Sequence, residues 1–399
     1  MNISMQSESS LQVEKDPWNQ VKWINSPEIE SLPIYTPSWE GWKQMDHAEL
    51  NALKENIDQY EQDGTWEMRK KLANPYELVH THEDKYVPIC LATIKPLSRS
   101  YFKMIEMLSI CNFFRRMTKQ KKLCSAHVCE GPGGFIQGFL DLCEKENRNI
   151  SGCLAMTLRP TQSQVPGWKR ASIFLKKNPI VKITYGADNS GDIYVLENQK
   201  YFVEQLPQKA NLFTADGGFD FKQDYIHQEQ TAFRLIVSSF SIGFQSLAVG
   251  GVCIIKLFDT FGNSMQEFIA YVSCFFREWC LYKPAMSRPC NSERYFIGVG
   301  FRGTSEETQH FFQQLEIDLR DKNVHDLESL FKDHTLQQKI EYIQEFQSHF
   351  EKKQITMLQT AIGVDPKNPW NYWPPIYRQS EKWCQVFDVP MKQILAPLH

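Results

Sequence analysis

The sequence predicts a doubly wound α/β sheet with an N-terminal arm and a helical C-terminal appendage, and three observations predict it. From about residue 73 to 303, short apolar runs alternate with amphipathic stretches, the pattern of strands separated by crossover helices. One apolar run, CSAHVC, opens directly into a glycine turn and then an amphipathic stretch, GPGGFIQGFL. On either side the alternation is lost.

Taken in order, residues 1–72 combine polar stretches with Trp18, Trp23, Trp39, Trp42 and Trp66 and with the helix-breaking Pro17, Pro33 and Pro37, which predicts an irregular aromatic accessory arm. Its tryptophans could stack on a base or a cap, or pin the arm to the domain surface, and pinning is the favoured reading. Residues 73–303 predict strands at Cys124 to Cys129, Gly152 to Thr157, Val181 to Tyr185, Ala210 to Ala215, Gly251 to Leu257 and Arg294 to Phe301, paired as a parallel sheet. Helices are expected at Gly134 to Cys143, Gln228 to Leu247 and Ser264 to Phe276. Residues 304–399 turn charged and helix-like, with Phe311, Phe312, Leu315 and Leu330 as the apolar side. The aromatic stretches NPWNYWPPIYR and WCQVFDVP near the end are read as packing back onto the main domain rather than binding a ligand.

Composition bounds the function classes. A chain of 399 residues with 42% hydrophobic and 23% charged residues has the make-up of a globular protein. A net charge of -3 excludes a generally basic nucleic-acid-binding domain, so any such site must be a local patch. Arg115, Arg116, Lys119, Lys121 and Lys122 form one candidate, and Arg69, Lys70 and Lys71 another. The 11 cysteines show no paired CxxC spacing and the N-terminus has no secretory layout, which together predict a reducing cytoplasmic or nuclear setting. No uninterrupted apolar run is long enough to cross a bilayer.

The glycine turn is the first functional signal. Gly131, Gly133 and Gly134 after a buried strand let the backbone approach a ligand closely, and the following helix start offers free N–H groups. The spacing is G-P-G-G rather than G-x-G-x-x-G, and no phosphate-loop Lys-Ser/Thr follows. Those departures count against a dinucleotide or a nucleoside triphosphate and leave a phosphate-free cofactor such as S-adenosylmethionine compatible. Glu130 could take up such a cofactor's amino or ribose groups, or simply cap the helix.

Six segments in order then resemble the FtsJ-like ribose 2′-O-methyltransferases. They are NPYE at 74–77, SRSYFK at 98–103, EGPGGF at 130–135, ADGGF at 215–219, GGVCIIKLFDTF at 250–261 and RPCNSERY at 288–295. NPYE and the NSERY ending favour the mRNA cap branch over the compact ribosomal-RNA branch. The resemblance implies a Rossmann-like sheet, S-adenosylmethionine as cofactor, and a catalytic tetrad of Lys103, Asp216, Lys256 and Glu293. Cofactor contacts are expected from Glu130, Gly131, Pro132, Gly133, Gly134, Phe135 and Asp216. Family members often carry a ribose-binding acid after the second strand, where this chain has Thr157, Leu158 and Arg159, so Asp188 or Asp192 of YGADNSGDI is the substitute considered. Ser287, Arg288 and Asn291 flank Glu293 and are the candidates for RNA contact.

The chemistry asks for these residue types independently. A ribose 2′-OH is a poor nucleophile whose proton must leave as the new C–O bond forms. Lys256, at the end of an apolar strand, is the candidate base. To act so near neutrality it must fall by roughly 2 to 3 from a pKa of about 10.4, through burial and the nearby cation Lys103. Asp216 would orient Lys256, and Glu293 would hold Lys103 or the ribose hydroxyls. The mechanism requires no metal, and the 10 histidines are dispersed. The expected partners are RNA, capped mRNA in first place, and the capping or transcription machinery. The alternatives are 2′-O-methylation of uncapped ribosomal or transfer RNA, and a non-catalytic RNA-binding subunit of such a complex.

Overall fold

A computed structural model of the chain describes residues 16–27, 31–160, 167–218 and 227–392. Phe219 of the ADGGF segment and the first fifteen residues of the arm lie outside the described residues. Eight strands form one sheet: β1 (Ile24–Asn25), β2 (Leu123–Val128), β3 (Ile150–Met156), β4 (Val181–Thr184), β5 (Ala210–Ala215), β6 (Leu247–Leu257), β7 (Phe276–Tyr282) and β8 (Arg294–Phe301). Their order across the sheet is β1-β7-β8-β6-β5-β2-β3-β4.

Every residue of β2, β5 and β8 is buried, because helices cover both faces, so these strands lack an apolar–polar alternation and bury even Ser125, His127, Asn211, Thr214 and Arg294. One covering layer contains Phe233, Phe240, Phe268 and Phe312 from helices Gln228–Ser246, Asn263–Ser273 and Glu306–Asp321. The other contains Met104, Leu108, Phe135 and Phe139 from helices Ser100–Ile110 and Gly134–Lys145.

The sheet is mixed, which corrects the all-parallel expectation. β2 through β6 pair in parallel, but β8 runs antiparallel to both β6 and β7, and β1 runs antiparallel to β7. The helix expected to reach Phe276 stops at Ser273, and Phe276 instead begins β7. Cys274 and Phe275 carry no glycine or proline, so helix and strand merge into one apolar run in the sequence. Within the arm, residues 48–72 hold three short helices, Ala48–Glu55, Asp58–Gln62 and Trp66–Leu72, where irregular chain was expected.

The arm's tryptophans pack rather than stand free: Trp18 meets Tyr76 and Phe387 edge-on, and Trp42 meets Phe233. At the other end of the chain, Trp373 and Trp383 are fully buried. No helix among the described residues is long and apolar enough to cross a membrane.

From β2 the chain winds outward through β3 and β4, then returns to lay β5 and β6 on the other side of β2. The topological switch point, where open α/β sheets bind ligands, therefore falls at the carboxyl ends of β2 and β5.

Candidate active site

Four segments deliver charged groups to that rim. The glycine turn follows β2, Asp216 follows β5 directly, Lys256 is the penultimate residue of β6, and Glu293 immediately precedes β8. Because β8 is antiparallel to β6, its beginning lies beside the end of β6, and Tyr295 pairs directly with Lys256. Lys103 arrives from helix Ser100–Ile110, one turn in from its start.

That helix is pressed onto the glycine turn. A Cβ at Gly134 would lie 2.2 Å from Ser98 Oγ, 2.3 Å from Ser100 Oγ and 3.0 Å from the Tyr101 amide, and one at Gly138 would lie 3.0 Å from the Tyr101 carbonyl. Gly133 has φ +103°, a conformation that favours glycine.

The structure brings Lys103, Asp216, Lys256 and Glu293 together as two ion pairs joined by a phenol. Lys103 Nζ lies 2.6 Å from Glu293 Oε1, and Lys256 Nζ lies 3.3 Å from Asp216 Oδ1 while donating to the Asp216 carbonyl at 2.9 Å. Tyr295 donates its hydroxyl to Asp216 Oδ1 at 2.7 Å and accepts from Lys103 Nζ at 3.4 Å. Sequence reasoning passed over Tyr295, although its place two residues after Glu293 in NSERY was a signal.

Electrostatics in the cluster favour charge separation. Burial alone would raise Glu293, but Lys103 and Lys256 outweigh it and hold the carboxyl at about 2. Burial alone would lower Lys256, but Asp216, Glu293 and Glu130 outweigh it and keep the ammonium above its ordinary range. In the ligand-free protein the carboxylates thus outweigh burial, and the depression that a base at this position requires is absent. Burial, helped by Asp216 and Glu293, pushes the Tyr295 phenol well up, so it stays a donor.

Glu130 is only 4% exposed and accepts from Thr214 Oγ1 at 2.5 Å, while Thr214 also meets His127 Nδ1 at 2.8 Å. Burial, then the charge of Asp216, push Glu130 well above the usual carboxyl range against the opposing pull of Thr214, Lys256 and Lys103. His127 is pushed down to about 3 by burial and stays neutral. Phe135 is fully buried and meets the Tyr295 ring at 5.9 Å between centroids, so it braces the tetrad from beneath.

The two alternative aspartates are both held within their own loop, Asp192 Oδ1 accepting from the Tyr194 amide at 2.8 Å. Asp188 is exposed and held in its own turn, accepting from the Ser190 amide at 2.8 Å and from Asn198 Nδ2 at 2.9 Å. Asp192 is half-buried, and its charge adds to burial and Glu130 in raising the Cys129 thiol. The loop bearing both is fastened to the end of β3, where the Arg159 amide donates to the Ser190 carbonyl at 2.6 Å.

Around Glu293 the candidate RNA contacts are partly engaged within the protein. Ser287 is buried at 3% exposure and donates to Asn291 Oδ1 at 3.2 Å, Asn291 is exposed, and Arg288 is paired with buried Glu77 at 3.1 Å. Of the basic patches, Arg69 is structural, donating to the carbonyls of Ile362 and Val364 at 2.7 Å each, and Arg116 pairs with Glu278 at 2.8 Å.

The sequence model of the FtsJ-like methyltransferases matches residues 96–301, more than half of the chain. The chain belongs to the FtsJ-like methyltransferase family. Curated relatives of this FtsJ-like methyltransferase include proteins named cap-specific mRNA (nucleoside-2′-O-)-methyltransferase 1. The one from Leishmania braziliensis is 28% identical over 284 residues, 67% of each chain. Another, from Trypanosoma cruzi, is 30% identical over 216 residues, 53% of this chain and 58% of the relative. A third, from Ailuropoda melanoleuca, is 26% identical over 269 residues, 62% of this chain but 30% of the relative. The FtsJ-like match thus spans between about a third and two thirds of these relatives' lengths.

Proposed function

We propose that this chain transfers the methyl group of S-adenosylmethionine to a ribose 2′-OH of RNA, at the nucleotide beside the mRNA 5′ cap. The observation that carries the reading is the joined arrangement Glu293–Lys103–Tyr295–Asp216–Lys256 at the carboxyl rim of the sheet. Family membership supports methyl transfer, and the names of the curated relatives support the ribose and the cap. In this reading residues 73–303 are the methyltransferase unit, with 1–72 as accessory arm and 304–399 as helical appendage.

The residues at the rim fit the cofactor. A buried carboxyl at Glu130, near Asp216 and without a cation in hydrogen-bond contact among the described residues, suits a positively charged ligand, which would relieve the strain of holding two acids together. Glu130, the turn Gly131 to Gly134 and Asp216 would hold it, with Asp192 preferred to Asp188 at the adenosine end. When bound it supplies an electrophilic methyl on a cationic sulfur.

Lys256 would receive the 2′-OH proton as a neutral amine. It is charged in the free protein, so it first presents an N–H donor that orients the ribose oxygen. As further positive charge enters the site its proton affinity falls, the ammonium releases a proton to water, and the amine then takes the 2′-OH proton. Lys103, fixed by Glu293 and Tyr295, stabilises the oxyanion as it develops. Asn291, exposed beside Glu293, is the group offered to the RNA backbone.

The experiment is transfer of labelled methyl from S-adenosylmethionine to matched capped and uncapped short RNAs, with Lys256→Ala as control. Ribose label on capped RNA alone, abolished in the variant, is the expected result. Label on both RNAs would move the assignment to uncapped RNA as well, and label on neither would overturn the catalytic reading in favour of a binding subunit.

A further inference from the structure

The loop between β7 and β8, residues 283–293, carries Glu293 at its end and is tied down at two places. One tie is the fully buried Glu106 carboxylate, which accepts from the Ala285 amide at 2.7 Å, the Met286 amide at 3.4 Å, Trp383 Nε1 at 2.9 Å and the Tyr282 hydroxyl. Glu106 stands on the same helix as Lys103, one turn further along, so this tie fixes the loop to the element that bears the first lysine.

The second tie is Lys283. Its ammonium donates to the Asn291 carbonyl at 2.7 Å, to Asn291 Oδ1 at 2.8 Å, to the Glu293 carbonyl at 2.8 Å and, more weakly, to Ser287 Oγ at 3.4 Å. An ammonium has three N–H donors and no acceptor, so these carbonyls converge on the one group that can serve them together. The side chain is half-buried, and its charged end is ringed by these loop acceptors.

We infer that Lys283 is a positioning residue for methyl transfer, clamping residues 287–293 so that Glu293 meets Lys103 and Asn291 turns its amide N–H donors outward. The second half follows from hydrogen-bond polarity. Lys283 Nζ and Ser287 Oγ both approach the Asn291 side-chain oxygen, so the Nδ2 group faces away from the loop interior. An outward donor suits an acceptor such as a phosphate or ribose oxygen, and that part rests on the RNA reading above.

The surroundings agree with a clamp rather than a solvated rim charge. Burial lowers the Lys283 ammonium to about 7, with Arg294 and Lys103 adding to the fall and Glu293 opposing it. A lysine left in water would keep its ordinary value.

The test compares wild type, Lys283→Met, Glu293→Gln and the double variant. Lys283→Met should lower kcat roughly 10- to 100-fold while the Kd for S-adenosylmethionine, read by calorimetry, changes less than about 2-fold, because Lys283 touches none of the cofactor-loop residues. If Lys283 acts through Glu293, the double variant should be no more than about 3-fold slower than Glu293→Gln alone. Fully multiplying losses, or a Lys283→Met enzyme as fast as wild type, would overturn the proposal.

Hydrogen exchange supplies a readout that does not depend on turnover. Peptides covering 284–293 should exchange faster in Lys283→Met while those of β2, β5 and β6 keep their protection, and unchanged exchange in that segment would overturn the clamp. Absence of methyl transfer by wild type on every RNA would sink the functional reading, and the exchange result would still decide the clamp.

Discussion

The hydroxyl of Tyr295 donates to Asp216 Oδ1 at 2.7 Å, and through it two ion pairs formed by distant parts of the chain become one cluster. That phenol is the hydrogen-bond link between Lys103–Glu293 and Lys256–Asp216, which otherwise act on each other only through charge. Tyr295→Phe keeps the ring, which is fully buried, and removes only the link. Kinetics should show kcat falling by roughly 10- to 100-fold, consistent with losing a hydrogen bond to a charged group worth about 1.5–3 kcal/mol. Affinity for S-adenosylmethionine should stay near wild type, and a kcat unchanged by the variant would remove Tyr295 from the working set.

Lys256 is held above its ordinary pKa by Asp216, Glu293 and Glu130, which dictates the pH dependence of the free enzyme. The neutral amine is the minor form below that value and grows with pH, so kcat/KM should climb about tenfold per pH step from 7 to 9 without levelling. Lys256→Arg keeps a cation against Asp216 but cannot give up its proton, and its rate should drop by roughly 10²- to 10⁴-fold. A plateau in kcat/KM below pH 8 in wild type, or an arginine variant with a tenth of the activity, would show that the base is elsewhere.

Gly134 leaves no room for a methyl group between the cofactor turn and the start of the Lys103 helix. Gly134→Ala should therefore force the two apart, lowering stability by about 1–3 kcal/mol as overpacking does, and weakening cofactor binding and turnover together. A thermal melt with calorimetry checks this, and a variant that matches wild type in both would mean that the contact yields without consequence.

Stability should depend on pH through four carboxyls that burial raises to about 7: Glu106, Glu229, Glu267 and Glu316. A raised carboxyl contributes stability that is complete below its unfolded value near 4.5 and is lost as pH rises through about 7. Glu293, held at about 2, does the opposite: its contribution is present above 4.5 and fades as pH falls toward 2. His127 and Lys283, held below their ordinary values, act in the opposite sense, His127 up to about pH 6.5 and Lys283 above about 7, but the four carboxyls outnumber them below pH 7. Melting temperature should thus peak near pH 5 and decline toward pH 7. Glu106→Gln should flatten that decline, since a rise from 4.5 to about 7 corresponds to roughly 3 kcal/mol. A wild-type melting temperature that is flat or rising between pH 5 and 7 would contradict this account.

The sequence reveals what is continuous and hides what depends on pairing. β2, β5 and β8 are legible because both faces are buried, so each strand is a short, mostly apolar segment bounded by a turn or a charged residue. β1 is two residues long and has no pattern to show, and β7 is masked by the helix that precedes it without a break. Lys103, Asp216, Lys256 and Glu293 are legible only through the family motifs that contain them, SRSYFK, ADGG, CIIK and NSER. Tyr295 and Lys283 are not singled out: a phenol inside a strand looks like core, and a lysine beside a proline looks like a solvated loop. Their significance depends on the register of β6 against β8 and on the fold of one loop, neither of which a single sequence displays. Asp188 and Asp192 are inseparable in the sequence for the same reason, since both belong to one loop whose course depends on Asn198.

The antiparallel course of β8 has a practical side. Since it brings the beginning of one strand to the end of another, all the chemistry gathers at one rim, and the opposite rim is left as a handle. There Gly250 has open space around it, Val249 is 68% exposed, and Gly303 approaches only the end of the Val249 side chain. A dye, a surface tether or an inserted peptide placed at that end would sit a full strand length from the lysines, letting the molecule be held and watched while it works.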